Sequence, residues 1–491
     1  MRERISFGLS KALCAVLALL FTWAIAAVFI VNYYSYCLPI LAVLAAASLF
    51  LVVLVWQLIK KHEALLKDYR KVIAWSFFLF MGIIRIIMIF PLRYTPKWDV
   101  DALFGGASEW VMTGDFASYH KYFAYFHNNW GGLILFRAVF GTAKLFGARD
   151  FFLVASLFNS ALSIATMYLT GSVCEKLTGI RGRMMAYFIF SISLPFYFIA
   201  PAFYTDSLTM VFPILIFRLY LAARGQGKLI KRLLIFALMG LAAGIGYGIK
   251  ATVVIMLIAV IIDAVLDRDF KRSIPMLPIT VIMIVACTLA AQGIIIRHLD
   301  RDEAEKLETP ILHWVMMGTV GSGTYNRNEY AFTKSFEDPA ERRSAVTERL
   351  ALRLKSYDIG DYAVLFTKKL DVDFGDGTYG LSDCLGCPHG DDNMLQSFLV
   401  KDGEHHAVYK HICTGILIAL YIPHIASCVL DVIGKPTARD LFAPRLAVLG
   451  LMLFLLFWEA RWRYFSNFVP IIMVLSITGL ESIFNRLLPN S

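Results

Sequence analysis

Charge is the first thing this sequence has little of. Only 17% of its 491 residues are Asp, Glu, Lys or Arg, against 58% hydrophobic, and the mean hydropathy is +0.64. Soluble domains carry about 25% charged residues, so a soluble enzyme is excluded and a chain that crosses a membrane many times is indicated. Alternating segments are also missing. A closed β-barrel is written in runs of about ten residues that alternate apolar and polar, whereas the apolar runs here are continuous for about 20 residues, the length a helix needs to cross hydrocarbon. The fold class read from the sequence is therefore an all-α polytopic membrane protein.

Catalytic signatures of the common soluble kinds are absent too. The sequence has no Gly-x-Gly-x-x-Gly or Walker loop, no His-Glu-x-x-His and no Gly-x-Ser-x-Gly, so nucleotide-binding, zincin and α/β-hydrolase chemistry have no support. Cysteine is sparse, with eight residues, six of them in or beside apolar runs. Cys384-Leu-Gly-Cys387 has the spacing of half a zinc site or a redox pair, but no companion pair exists. A strained local disulfide or two free thiols is the favoured reading.

What is present is twelve apolar runs: 12–31, 36–58, 73–91, 150–173, 183–201, 206–223, 231–249, 251–266, 273–295, 411–431, 444–458 and 465–484. The net charge of +10 sits in short connections between them, which is how membrane orientation is encoded and calls for no nucleic-acid partner. The first run, after Arg2, Arg4 and Lys11, is long for a signal-peptide core and reads as a retained span. A cytoplasmic N-terminus puts Lys60, Lys61, Lys67, Arg70, Lys71, Lys176, Arg181, Arg183, Arg224, Lys228, Lys231, Arg232, Lys271, Arg272, Lys435, Arg439 and Arg486 inside, with Arg461 and Arg463 the exceptions. This holds if 131–147, interrupted by Arg137 and Lys144, lies at the interface as a juxtamembrane helix instead of crossing. The implied divisions are 1–72, two N-terminal spans; 73–296, a core holding the external loop 92–149; 297–410, a mixed helix-and-loop extracytoplasmic segment; and 411–491, the C-terminal spans.

In that topology the unusual polar residues gather on one face. Trp98-Asp99-Val100-Asp101 follows the third span directly, Asp206 lies in a turn between two spans, Lys250 ends a span, and Glu459-Ala460-Arg461-Trp462-Arg463-Tyr464 joins the last two. Scattered structural charges would fall on both faces, so the coincidence argues for one extracytoplasmic site at the membrane boundary. The bland alternatives stay open here: Asp99, Asp101 and Asp206 as solvated loop ends, and Arg461 and Arg463 as snorkelling residues with a Glu459–Arg463 helical pair.

Asp99 with Ala107-Ser108-Glu109, then the stretch ending Leu145-Phe146-Gly147, resembles the GT-C glycosyltransferases of the protein mannosyltransferase and aminoarabinose transferase type. Tyr204-Thr205-Asp206-Ser207 is similar to the second external turn of that family, and Gly244-Ile-Gly-Tyr-Gly-Ile-Lys250 to its glycine-rich segment ending in lysine. The resemblance covers about 70–260. The chain departs from the pattern where Val100 replaces the second acid of the usual pair, at His127-Asn128-Asn129, and in having two spans before the span that leads into the acidic loop.

The resemblance implies an inverting transfer of sugar from a polyprenyl-phosphate donor to a glycan, lipid or protein acceptor, at the outer face of a bacterial plasma membrane. Such a transfer needs a base at the acceptor hydroxyl and cations at the departing phosphate. Asp99 is the candidate base, Asp101 its alternate, and Asp206 a residue orienting the acceptor or Asp99. Lys250, Arg461 and Arg463 are the candidate phosphate ligands. No cofactor is certain: the protein's own cations could suffice for a monophosphate, while Asp99 and Asp101 with His120 or His127 leave a divalent ion possible. The segments 313–318 and 321–326 read either as a lid or as a loop packed on the helix ends. A transporter and a polysaccharide polymerase or ligase are the competing classes. The transporter reading is opposed by the outside position of the long segment and by polar residues clustering at one face instead of at the midplane.

Overall fold

The computed structural model describes residues 2–266, 276–385, 387–388, 393–434 and 439–487. The protein is an all-α polytopic membrane protein. Among the described residues ten helices are long and apolar enough to cross a membrane: Phe7–Ile30, Leu38–Lys61, Arg70–Ile89, Phe151–Ile192, Thr205–Arg224, Leu229–Ile249, Leu277–Ile295, His406–Ile433, Arg439–Phe457 and Ser466–Arg486. Ala251–Leu266 is a shorter apolar helix. Lys271, Arg272 and Lys435, used above to orient the chain, lie outside the described residues.

The ten together with Ala251–Leu266 account for the twelve runs once Phe151–Ile192 is resolved into two. A straight helix of its 42 residues would measure about 63 Å, roughly twice the hydrocarbon thickness. Gly179, at φ 73° and ψ −164°, reverses the chain in a conformation essentially reserved for glycine. A Cβ on Gly171 would stand 2.9 Å from the Tyr187 ring, so the two halves run back along each other. The second half stops at Ile192, short of the expected end at 201, since Ser193–Tyr204 carries Pro195 and Pro201 and holds only the four-residue helix Pro195–Phe198. The backbone of that segment is held from the side: Arg85, fully buried in Arg70–Ile89, donates from Nε to the Phe196 carbonyl at 2.6 Å, and Asn159 donates to the Ile199 carbonyl at 2.7 Å.

Helix Trp130–Leu145 spans the stretch expected at the interface, and it packs against helix Trp98–Thr113 through Leu133, Phe136 and Phe140. The segment from 297 onward is short helices: Arg301–Leu307, Leu312–Gly318, Arg327–Lys334, Pro339–Ser356, Ile359–Phe374, Leu381–Cys384 and Met394–Leu399. Their starts are written locally, since Asp300, Asn326, Asp338 and Asp358 each accept from backbone N–H groups of the first turn. A two-residue antiparallel pairing of Tyr94–Thr95 with Cys387–Pro388 ties this segment to the loop after the third long helix. Cys384 is a buried free thiol, and the side chain of Cys387 lies outside the described residues. Residues 313–318 form a packed helix: His313 is buried, and its Nδ1 pairs with Thr333 Oγ1 at 2.7 Å. Together with Ala460 N–H donating to the Gly323 carbonyl at 2.7 Å, this favours the loop packed on helix ends over the lid.

Candidate functional site

The loop after Ile89 delivers Asp99 at the start of helix Trp98–Thr113. Trp98 sits at φ 52°, a rare conformation for a bulky residue, directly before it. The Asp99 carboxylate is half-buried and held by two phenols: Tyr122 donates to Oδ1 at 2.7 Å and Tyr204 to Oδ2 at 3.3 Å. Asn129 in turn donates to the Tyr122 hydroxyl at 2.6 Å, which fixes the ring's position. Asp101 points to a different partner, accepting from Tyr119 at 3.3 Å, and partial burial raises its carboxyl above the usual range against the opposing effect of that hydrogen bond. Glu109 of the Ala-Ser-Glu stretch is used structurally, accepting from the Ser118 N–H and hydroxyl at 3.2 Å.

Asp206 is not a solvated turn. It lies in the first turn of helix Thr205–Thr209, is buried, and is flanked by two cations: Lys250 Nζ contacts its Oδ1, and Arg463 Nε stands 3.2 Å from its Oδ2. Arg463 also lies 4.8 Å over the Tyr204 ring, and Lys250 4.4 Å over the Tyr464 ring. Tyr204 therefore touches both Asp99 and Arg463, which joins the base candidate to the cation group through one side chain. Arg461 points back to Glu459, at 3.0 Å from its Nε, so the alternative Glu459–Arg463 helical pair is not formed and Arg463 reaches Asp206. The reason is that 458–464 is a turn between helices rather than a helical extension, so i,i+4 spacing does not apply.

Asp99, Asp101, Lys250, Arg461 and Arg463 all line one cavity of about 2020 Å³, and Asp206 sits behind it under the two cations. One stretch of wall comes from the apolar helices Leu229–Ile249 and Met276–Ile295 through Gly244, Gly248, Ala291 and Ile294. Another is aromatic: Phe126 stands 4.9 Å from Tyr122 and 6.2 Å from Trp314, and Trp314 6.4 Å from Trp458. All six sequence-selected residues are thus brought together. His120 lies outside this lining, 3.1 Å from Asp115, whereas His127 lines the cavity and stands 3.7 Å from Glu308. No group of three His, Cys, Asp or Glu side chains arranged to hold a metal occurs among the described residues.

Sequence reasoning missed Tyr122, Asn129 and the contact made by Tyr204. Nothing in composition separates a phenol aimed at a carboxylate from one packed in a core, although Tyr204 stood two residues from a selected acid. Arg85 was also missed, being a single charge inside an apolar run.

No curated protein matches the sequence. Among solved structures, that of ArnT from Cupriavidus metallidurans bound to undecaprenyl phosphate aligns with 84% of this chain and 78% of its own, at 9% identity and a TM-score of 0.33, a likeness too loose to carry fold or function. Residues 14–483 match the family described as conserved hypothetical integral membrane protein, and the chain belongs to that family.

Proposed function

We propose that this protein is an inverting glycosyltransferase of the cell membrane, moving a sugar from a polyprenyl-phosphate donor to a glycan, lipid or protein acceptor on the extracytoplasmic face. The observation that carries the reading is the shared cavity. A carboxylate held by two phenols opens onto the same space as Lys250, Arg461 and Arg463, and that space is continued by two apolar helices along which an isoprenoid tail can lie. The sequence resemblance to GT-C enzymes supports it independently.

The chemistry assigns each group one task. The acceptor hydroxyl attacks the anomeric carbon as Asp99 takes its proton; the anomeric C–O bond to phosphate breaks, and polyprenyl phosphate leaves with the electron pair. Tyr122 and Tyr204 occupy one lone-pair direction on each oxygen of Asp99, holding the carboxylate oriented while leaving others for the acceptor. Lys250 and Arg463 bring two positive charges against the single negative charge of Asp206, so the group has charge to spare for a monophosphate. A direct displacement needs one essential carboxylate and not the paired carboxylates of a glycosidase.

The test is a reconstituted assay with purified protein and polyprenyl-monophosphate sugars of several kinds, following release of the lipid phosphate. Release with at least one donor, abolished by Asp99→Asn in a protein that still folds, is expected. Wild-type turnover retained in Asp99→Asn, Asp101→Asn and Asp206→Asn alike would end the proposal.

A further inference from the structure

Among the fully buried charged residues outside the cavity wall, two stand behind the turn that carries Arg461 and Arg463. Lys369 and Asp373 lie one turn apart near the end of helix Ile359–Phe374. The Lys369 amine donates to the Gly318 carbonyl at 2.9 Å and also to the Trp458 carbonyl. Asp373 Oδ1 accepts from the Arg461 backbone N–H at 2.9 Å. The two side chains therefore grip the turn Trp458–Tyr464 at both sides of Glu459, and that turn carries Arg461 and Arg463 into the cavity.

The surroundings are shaped for this grip. A Cβ on Gly318 would fall 2.4 Å from the Trp458 carbonyl, and one on Gly323, at φ 77°, 3.0 Å from the Lys369 stem. Both glycines clear the passage through which the lysine reaches the turn. Glu459 completes the arrangement by accepting from Arg461 Nε at 3.0 Å and from the Tyr464 hydroxyl at 3.3 Å. Burial pushes the Lys369 amine down to about 8, with Asp373 and Glu459 opposing that effect. A lysine kept in such a place is held by what it donates to, since burying a cation away from water is otherwise unfavourable.

We infer that Lys369 and Asp373 are positioning residues for the phosphate end of the cavity, a strap that fixes the Trp458–Tyr464 turn and so aims Arg461 and Arg463. The inference rests on the proposed donor site for its consequence, while the strap itself is a statement about the turn. A residue that merely stabilised the bundle would lower protection everywhere; a strap loosens one turn and alters recognition of one group.

The experiment pairs two readings on full-length protein in nanodiscs. Hydrogen–deuterium exchange is followed across 458–464, and binding of geranylgeranyl monophosphate is compared with that of geranylgeraniol. In Lys369→Met and Asp373→Ala, exchange across the turn rises while 98–113 is unchanged, and the preference for the phosphorylated lipid falls roughly tenfold, the scale of losing well-placed charge-assisted contacts. Asp373→Asn, which keeps an acceptor oxygen for the Arg461 N–H, restores both readings most of the way. Should Lys369→Met fail to fold, the two Asp373 variants decide the matter alone. Unchanged exchange across the turn, or increased exchange with an unchanged preference, overturns the inference. A wild type that binds both lipids equally removes the donor-site reading, and the exchange data then still decide whether the strap holds the turn.

Discussion

At each end of the bundle the molecule buries one carboxylate between two cations. Asp431 is completely buried between Arg445 and Arg486, each at 2.7 Å, and Asp206 is buried between Lys250 and Arg463. The residue types are nearly the same and the charge balance is identical. What differs is where the cations go next. Arg445 spends further donors on Cys14 Sγ at 3.1 Å and Ser427 Oγ at 3.3 Å, and Arg486 donates to the Leu430 carbonyl at 2.7 Å, so that group staples four helices together. Lys250 and Arg463 instead lie over the rings of Tyr464 and Tyr204 and line the cavity. A buried charge group thus reads as structure or as site by what adjoins it, not by its composition.

The comparison is broken most strongly by removing each acid in turn. Asp431→Asn leaves Arg445, with its side chain 2% exposed, facing an amide, and is expected to cost roughly 3–5 kcal/mol, the usual range for breaking a buried pair. Asp206→Asn is expected to cost less, because its cations line a cavity that water can enter, and thermal unfolding of both variants in the same detergent checks the order. Equal destabilisation would mean that the two groups are both staples.

Next in size is Asp99→Asn, which keeps the volume and removes the proposed base: turnover should fall about a hundredfold or more while the unfolding temperature stays within experimental scatter. Near-normal turnover would transfer the role to Asp101 or Asp206.

The smallest effect sharpens the contrast between the neighbours Asp99 and Asp101. Partial burial raises the Asp101 carboxyl, so its folded form binds the proton more tightly than the unfolded chain does. For such a group the favourable contribution is full below the unfolded value of 3.8 and is lost as pH rises through the folded value. Asp101→Asn should therefore raise the unfolding temperature slightly at neutral pH and not at all below about pH 3.8, and a scan at several pH values would show it. A stabilisation that persists unchanged in acid would assign the effect to something other than this carboxyl.

Much of the fold was legible because crossing hydrocarbon leaves a helix few alternatives, and each of the twelve apolar runs maps onto a helix or half of one. Boundaries were less legible where irregular backbone is held from outside: no local pattern in 183–201 announces that Arg85 and Asn159 will carry the carbonyls of the segment after Ile192. The six selected charges drew notice because acids and cations are rare in this sequence, and the resemblance to GT-C enzymes pointed to Asp99, Asp206 and Lys250 as well. Their companions were not, since Tyr122, Asn129 and Tyr204 belong to types that occur throughout apolar surroundings. Lys369 and Asp373 escaped for another reason. Asp373-Phe374-Gly375-Asp376-Gly377 has the composition of a turn, yet Asp373 is still helical, and only the tertiary approach of 458–464 gives its carboxylate a partner.

The most direct test of the account is an experimental structure with a polyprenyl monophosphate bound. The phosphate should lie within hydrogen-bonding reach of Lys250, Arg461 or Arg463, on the cavity side of Asp206, with the isoprenoid running along Leu229–Ile249 and Met276–Ile295 and the Asp99 carboxylate facing the space where the sugar would sit. A phosphate seated at the Asp431 end, or on a surface that Asp99 does not face, would contradict it.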